Sequence, residues 1–237
     1  MNELLQNIKD NVSFLLVSLL IVIGIIIVAA LAQKYLCKSV PKRRGARYIA
    51  FVAMFGAISA VLMLFEIPLF FAPSFYKLDL SEIPVLMCSF YLGPVSGVIC
   101  ELLKIIIKLL LKGTSTMFVG DFANFVVGCT FVLPASIIYH IKKSKKTAIV
   151  GMGTGTAVMT VFGSLFNAVY LLPKFAAIFG MPLEAIIGMG AEVNSAINSV
   201  STLVLFAVVP FNLLKGVIVS VATFFLYKRL EPIFFRK

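Results

Sequence analysis

Ile83-Pro-Val-Leu-Met-Cys-Ser-Phe-Tyr-Leu92-Gly93-Pro94-Val-Ser-Gly-Val-Ile-Cys-Glu101-Leu-Leu-Lys104-Ile-Ile-Ile-Lys108-Leu-Leu-Leu-Lys112 decides the fold. A bilayer core takes about 20 helical residues, so this run is too long for one span. Gly93-Pro94 removes an amide donor and relaxes the backbone. The reading is a shorter helix over 83–92, a tight turn, and a full helix over 95–111. Further apolar stretches lie at 12–36, 48–67, 122–141, 148–172 and 201–227, which makes seven segments. With 61% hydrophobic residues and a mean hydropathy of +1.07, the chain reads as an all-α integral membrane protein without a soluble domain. The first stretch is too long for a signal peptide and carries its positive charge on the C-terminal side.

The net charge of +11 is a topology signal before it is a nucleic-acid signal. Lys34, Lys38, Lys42, Arg43, Arg44 and Arg47 follow the first segment. Lys142, Lys143, Lys145 and Lys146 follow the fifth, and Lys228, Arg229, Arg236 and Lys237 close the chain. Seven crossings put all three groups on one side, which the positive-inside rule makes the cytoplasm. The N-terminus is then outside and the C-terminus inside, with no nucleic-acid partner. The opposite side receives the connections 68–82 and 173–200 and the short 113–120. Phe70, Phe71 and Phe75 in the first of these suit either a lid or interfacial anchoring.

Polar groups inside the spans mark what faces something other than lipid. Asn124, Asn167 and Asn212 fall on three helices, and Lys215 shares a face with Asn212, one turn on, just after Pro210. Pro210 frees a carbonyl and predicts a kink there. These groups form a candidate pocket opening outward, with donors and acceptors for a neutral flat heterocycle. The competing reading is interhelical hydrogen bonding. Glu101, Lys104, Lys108 and Lys112 recur on one face of the fourth segment. Glu101 and Lys104 read as a structural pair, and Lys108 and Lys112 can snorkel outward. Ala53, Gly56, Ala57 and Ala60 form overlapping small-residue pairs, either for internal packing or for docking another membrane protein.

The chain lacks a phosphate loop, so ATP hydrolysis is not expected of it. His140 reads as interfacial, and no metal site or catalytic set is expected. Cys37, Cys88, Cys100 and Cys129 read as reduced packing residues.

Leu78-Asp-Leu-Ser-Glu-Ile-Pro84, Leu92-Gly-Pro-Val-Ser-Gly97, Glu101-Leu-Leu-Lys104, Gly120-Asp-Phe-Ala-Asn-Phe125 and Pro210-Phe-Asn-Leu-Leu-Lys-Gly216 together resemble the riboflavin-binding S components of energy-coupling factor (ECF) transporters. The resemblance runs from about residue 48 to 230. It implies a six-helix S-component bundle over 48–237 that captures riboflavin from outside. It also implies a transmembrane coupling (T) subunit and two cytoplasmic ATPase subunits as partners. Riboflavin is then transported ligand, not cofactor. Carried over by position, Asn212 and Lys215 match the last-helix pair at the flavin ring and Asn167 a further amide, with Asn124, Leu78 and Asp79 as additional substrate contacts. Ala53 and Ala57 resemble the docking motif for the coupling subunit. Residues 1–47 depart from the pattern as an additional N-terminal transmembrane helix and basic cytoplasmic linker. A stand-alone secondary carrier for riboflavin, FMN or another flat heterocycle is the alternative.

Overall fold

The structure is a computed structural model of the chain, and it describes residues 12–40, 45–73 and 75–234. Lys42, Arg43, Arg44, Arg236, Lys237 and the N-terminal end lie outside the described residues, as does the side chain of Lys228. The elements run α1 (Val12–Tyr35), α2 (Ala46–Leu64), a two-residue hairpin of β1 (Ile67–Pro68) and β2 (Lys77–Leu78), α3 (Glu82–Leu92), α4 (Pro94–Lys112), α5 (Val119–Ile141) and α6 (Lys145–Phe166). A π-helical turn (Asn167–Leu171) joins α6 to α7 (Leu172–Phe179). Then come α8 (Leu183–Val193), α9 (Val200–Leu203), a second π turn (Val204–Val208) and α10 (Val209–Phe234).

Among the described residues, five continuous helices are long and apolar enough to cross a bilayer: Phe14–Tyr35, Ala46–Leu64, Val119–Ile141, Lys145–Phe179 and Val200–Tyr227. Helix α4 has the length but carries the charged row; Glu101, Lys104 and Lys108 are buried on its inner face. Every residue of α3 is buried, which explains why its sequence shows an unbroken apolar run rather than a stripe. Eleven residues rise only about 16 Å, roughly half the hydrocarbon core. The chain before α3 therefore enters the bundle: Glu82, its first residue, meets Lys104, two turns inside the end of α4. Gly93 makes the turn into α4 with φ 108°, a conformation that side chains other than hydrogen resist.

One residue separates each π turn from a proline. The N–H of Leu172 bonds to Asn167 O and that of Val209 to Val204 O, and Pro173 and Pro210 follow these two residues directly. Each proline lacks the N–H that would continue the ladder. The widened turn is where the helix absorbs that loss, and such turns recur at functional sites. The expected distortion at Pro210 thus takes the form of a π turn on its N-terminal side. The 173–200 connection differs from the sequence expectation: it is mostly helical, with α6 prolonged through α7 and a separate α8. Ile186 of α8 is buried in an apolar cluster with Leu172, Leu203 and Phe211.

Small residues divide by face. Gly56 and Ala60 are buried, and a Cβ on Gly56 would lie 3.0 Å from Leu103 Cβ, so this pair packs α2 on α4. Ala53 and Ala57 are exposed on the other side of α2. Helices α5 and α6 approach closely at their backbones: a Cβ on Gly155 would sit 2.5 Å from Phe131 O and one on Gly151 2.6 Å from Ala135 O. Backbone oxygens cannot swing away, so Gly155→Ala is expected to cost about 1–3 kcal/mol. A lowered thermal midpoint in detergent checks this, and an unchanged midpoint would mean that α5 and α6 separate freely.

Helix α1 packs on α4 and α5. Gln33 Oε1 accepts from Val95 N at 3.2 Å and Ser39 N donates to His140 O at 3.2 Å, tying its end to the Gly93 turn and to α5. His140 stands in the last turn of α5, the helix end where the sequence reading put it, and it is fully buried there, with Nε2 2.9 Å from Ser89 O. Cys37, Cys88, Cys100 and Cys129 are free thiols.

Candidate functional site

Asp79, Asn124, Asn167, Asn212 and Lys215 line one cavity of about 730 Å³. Its walls come from the segment before α3, α5, the first π turn and α10, with α7 and α8 at the rim. Leu78 is the exception: it lies in the apolar cluster with Ala72, Tyr76 and Phe211, not on the cavity wall. Side chains alternate across an extended segment, so Lys77 and Asp79 reach the cavity while Leu78 turns away.

Lys215 Nζ lies 2.9 Å from Asp79 Oδ2, a pair joining α10 to the segment before α3. Asp79 Oδ1 accepts from Ser81 N at 2.9 Å and from the Ser81 hydroxyl. Burial works against this carboxylate, but Lys215, Lys104 and Ser81 outweigh it and lower its pKa to about 2. Both oxygens are thus occupied and charged. Asn167 Oδ1 accepts from the Tyr76 hydroxyl at 2.8 Å, and its Nδ2 donates to Gly163 O at 2.8 Å. Burial raises the Tyr76 phenol above its ordinary value, which keeps it a neutral donor. Asn212 differs: its Nδ2 is buried without a hydrogen-bond partner, a state that costs free energy unless a ligand fills it. Asn124, half-buried, stands one turn inside the start of α5.

The sequence reading missed Glu82. It lines the cavity and is buried, with Oε1 2.8 Å from Lys104 Nζ and Oε2 without a partner. Lys104 also contacts Glu101, so the expected Glu101–Lys104 pair is a triad of one ammonium and two carboxylates. The signal lay in Ser81-Glu82 ahead of an apolar run, which reads more naturally as an exposed helix start. Lys108 reaches toward the outer end of α4 as expected but ends in a buried ion pair rather than in water: its Nζ lies 2.6 Å from Asp121 Oδ1 and 3.0 Å from Gly113 O.

At the rim, Glu66 receives Lys112 at 2.9 Å and Lys77 at 3.2 Å. These bonds tie the hairpin to the end of α4, and the two lysines overcome partial burial to hold the Glu66 pKa below its usual value. Phe75, Phe175 and Phe179 also reach the cavity, whereas Phe70 is 91% exposed. Met117 and Phe118 adopt positive φ, 47° and 68°, beside the lining residues Gly113–Thr116. Such conformations cost about 1–3 kcal/mol each for side-chain-bearing residues.

An amphipathic cavity of this size suits a small planar ligand with a polar edge. No group of three or more His, Cys, Asp or Glu among the described residues is arranged to hold a metal.

The family model described as "ECF transporter, substrate-specific component" matches residues 47–227, beginning just past α1. The riboflavin transporter RibU of Staphylococcus aureus is 35% identical over 179 residues, covering 76% of this chain and 87% of that protein. The riboflavin transporter FmnP of Bacillus subtilis is 30% identical over 182 residues, 76% of this chain and 90% of that protein. A solved structure, reported as the S component of a bacterial ECF transporter, superposes with a TM-score of 0.61 at 33% identity. It covers 78% of this chain and 96% of its own.

Proposed function

The chain belongs to the family of ECF transporter substrate-specific components, and from that premise we propose that it captures riboflavin from the outer side of the cell membrane for uptake driven by a coupling subunit and two ATPase subunits. It is a transport protein, not an enzyme, and riboflavin is its cargo. The observation that carries the ligand assignment is the cavity, with unpartnered Asn212 Nδ2 and Lys215 as donors for the ring carbonyls. Met159, Leu171 and Phe211 cover its flat faces. Asn124, Asn167 and Asp79 complete the polar wall, Asp79 by orienting Lys215.

The ends of α1, α5 and α10 that carry the basic groups face the cytoplasm, by the charge rule, and the cavity mouth then faces outward. Residues 1–47 supply an added helix and linker, and 48–237 the substrate-binding domain. Ala53 and Ala57, exposed on α2, offer a smooth face on which a partner helix can approach closely, and the coupling subunit is the partner assigned to it.

Titration of the purified chain with riboflavin tests the ligand: saturable one-to-one binding is expected, and absence of binding would overturn the assignment. The docking face is tested separately. Ala53→Leu with Ala57→Leu should leave riboflavin affinity within about twofold but reduce uptake by roughly tenfold or more, because close helix contact is lost. Lost binding in the double variant would instead place these alanines in the internal packing.

A further inference from the structure

The cavity's polar groups divide by what they still lack. Asp79 has both oxygens engaged and Asn167 has both ends of its amide engaged. On α10, Asn212 Nδ2 is an open donor. Open acceptors of charged type lie elsewhere: Glu82 Oε2 and Asp121 Oδ2 are buried and unpartnered, and both residues line the cavity.

These two carboxylates sit at different depths. A Cβ on Gly128 would lie 3.0 Å from Glu82 Oε1, and Gly128 stands nine residues along α5 from Val119, about 14 Å down its axis. Asp121 is two residues in, about 3 Å down, next to Gly120, whose N–H donates to the Thr116 hydroxyl, and Thr114 and Thr116 line the same cavity. Glu82 therefore belongs to the floor and Asp121 to the rim. The floor has the apolar walls, Val127, Met159 and Phe211 among them, that a fused aromatic ring requires, whereas the hydroxyl-rich rim suits a polyol. Riboflavin is built in those two parts. The outer edge of its ring presents a carbonyl, an imide N3–H and a second carbonyl. A matching floor needs donor, acceptor, donor. Lys215 and Asn212 supply the donors.

We infer that Glu82 is the acceptor for the imide N3–H of the bound flavin, and hence the residue that selects ligands with a donor between two carbonyls. This rests on the riboflavin assignment above and goes beyond it by naming the specificity residue. An ionised carboxylate only accepts, so a ligand presenting a carbonyl or bare ring nitrogen at that place meets repulsion, and an alkylated nitrogen leaves a buried charge without its donor. Lys104 bonds to Oε1 at 2.8 Å and fixes the side chain, while Oε2, though buried, makes no hydrogen bond of its own. Glu101, the second carboxylate on Lys104, takes no part in ligand contact. If Glu82 loses its charge, Lys104 and Glu101 remain as a balanced one-to-one pair, so a neutral replacement is expected to fold.

The test compares riboflavin with N3-methylriboflavin on wild type, Glu82→Met and Asp121→Asn, each by fluorescence titration of the purified full chain. In wild type, methylation should weaken binding by about 100-fold or more, combining crowding with loss of a charge-assisted bond. In Glu82→Met the bond is already absent: riboflavin itself should bind about 10- to 100-fold more weakly than to wild type, and the methylation penalty should shrink by at least about tenfold. An equal penalty in wild type and Glu82→Met overturns the inference, as does a reduced penalty in Asp121→Asn alone, which would place the ring edge at the rim. Wild type binding no flavin at all would instead remove the riboflavin assignment. The wild-type protein gives an independent measurement that does not depend on a variant folding. The N3 proton of bound riboflavin labelled with nitrogen-15 at N3 should resonate downfield of its position in free aqueous riboflavin, and an unshifted or upfield resonance would overturn the inference.

Discussion

Lys104→Met is expected to destabilise the folded chain by roughly 3–5 kcal/mol, the cost of leaving buried charge without its partner. Lys104 is fully buried between Glu82 and Glu101, so its removal leaves two carboxylates facing each other. Proteins relieve such a state by taking up a proton or admitting water, and either would loosen the contact of α3 with α4. The measurement is thermal unfolding in detergent at neutral pH, where a strongly lowered midpoint is expected. Adding Glu101→Gln to the same variant removes one of the stranded charges and should recover part of the loss. No recovery would mean that Lys104 acts through packing of its long side chain alone.

Lys215→Met has the second large effect, and it reaches stability as well as binding. From sequence alone Lys215 reads as a ligand donor. The structure adds the Asp79 partner at 2.9 Å, which the substitution would leave charged and buried. Riboflavin affinity is expected to fall by about 10- to 100-fold, the range for a hydrogen bond from a charged group, together with a lowered melting midpoint. The double variant Lys215→Met with Asp79→Asn separates the two roles. Removing both charges should restore much of the stability, while affinity stays low because the donor to the flavin is still missing. Recovery of affinity along with stability would show that Lys215 serves the fold and not the ligand.

The spans were legible because hydropathy and Gly93-Pro94 are local signals. Asn212 and Lys215 were legible for a related reason: a polar pair inside an apolar helix has few bland explanations. What stayed hidden depends on non-local geometry. Asp79 entered only through the family resemblance, and Glu82 opens α3 straight after a connecting segment, where charge is ordinary; the contact with Lys104 shows how deep that segment descends. Leu78 shows the converse: adjacency to Asp79 in sequence placed it with the ligand, but one step along an extended strand points the opposite way. Helix α8 was hidden within a long connection because its burial is limited to Ile186 and Gly190. The division of small residues on α2, Gly56 inward and Ala53 outward, requires knowing which neighbour the helix packs against. The π turns followed from Pro173 and Pro210 only as an expectation of distortion, since a proline removes a donor without dictating how the helix responds.

The most direct measurement for the capture of riboflavin is the visible absorption spectrum of the full chain purified in detergent without added ligand, followed by mass analysis of whatever is released on denaturation. A yellow protein carrying close to one riboflavin per chain is the expected result. A colourless protein that also fails to bind added riboflavin would contradict the account.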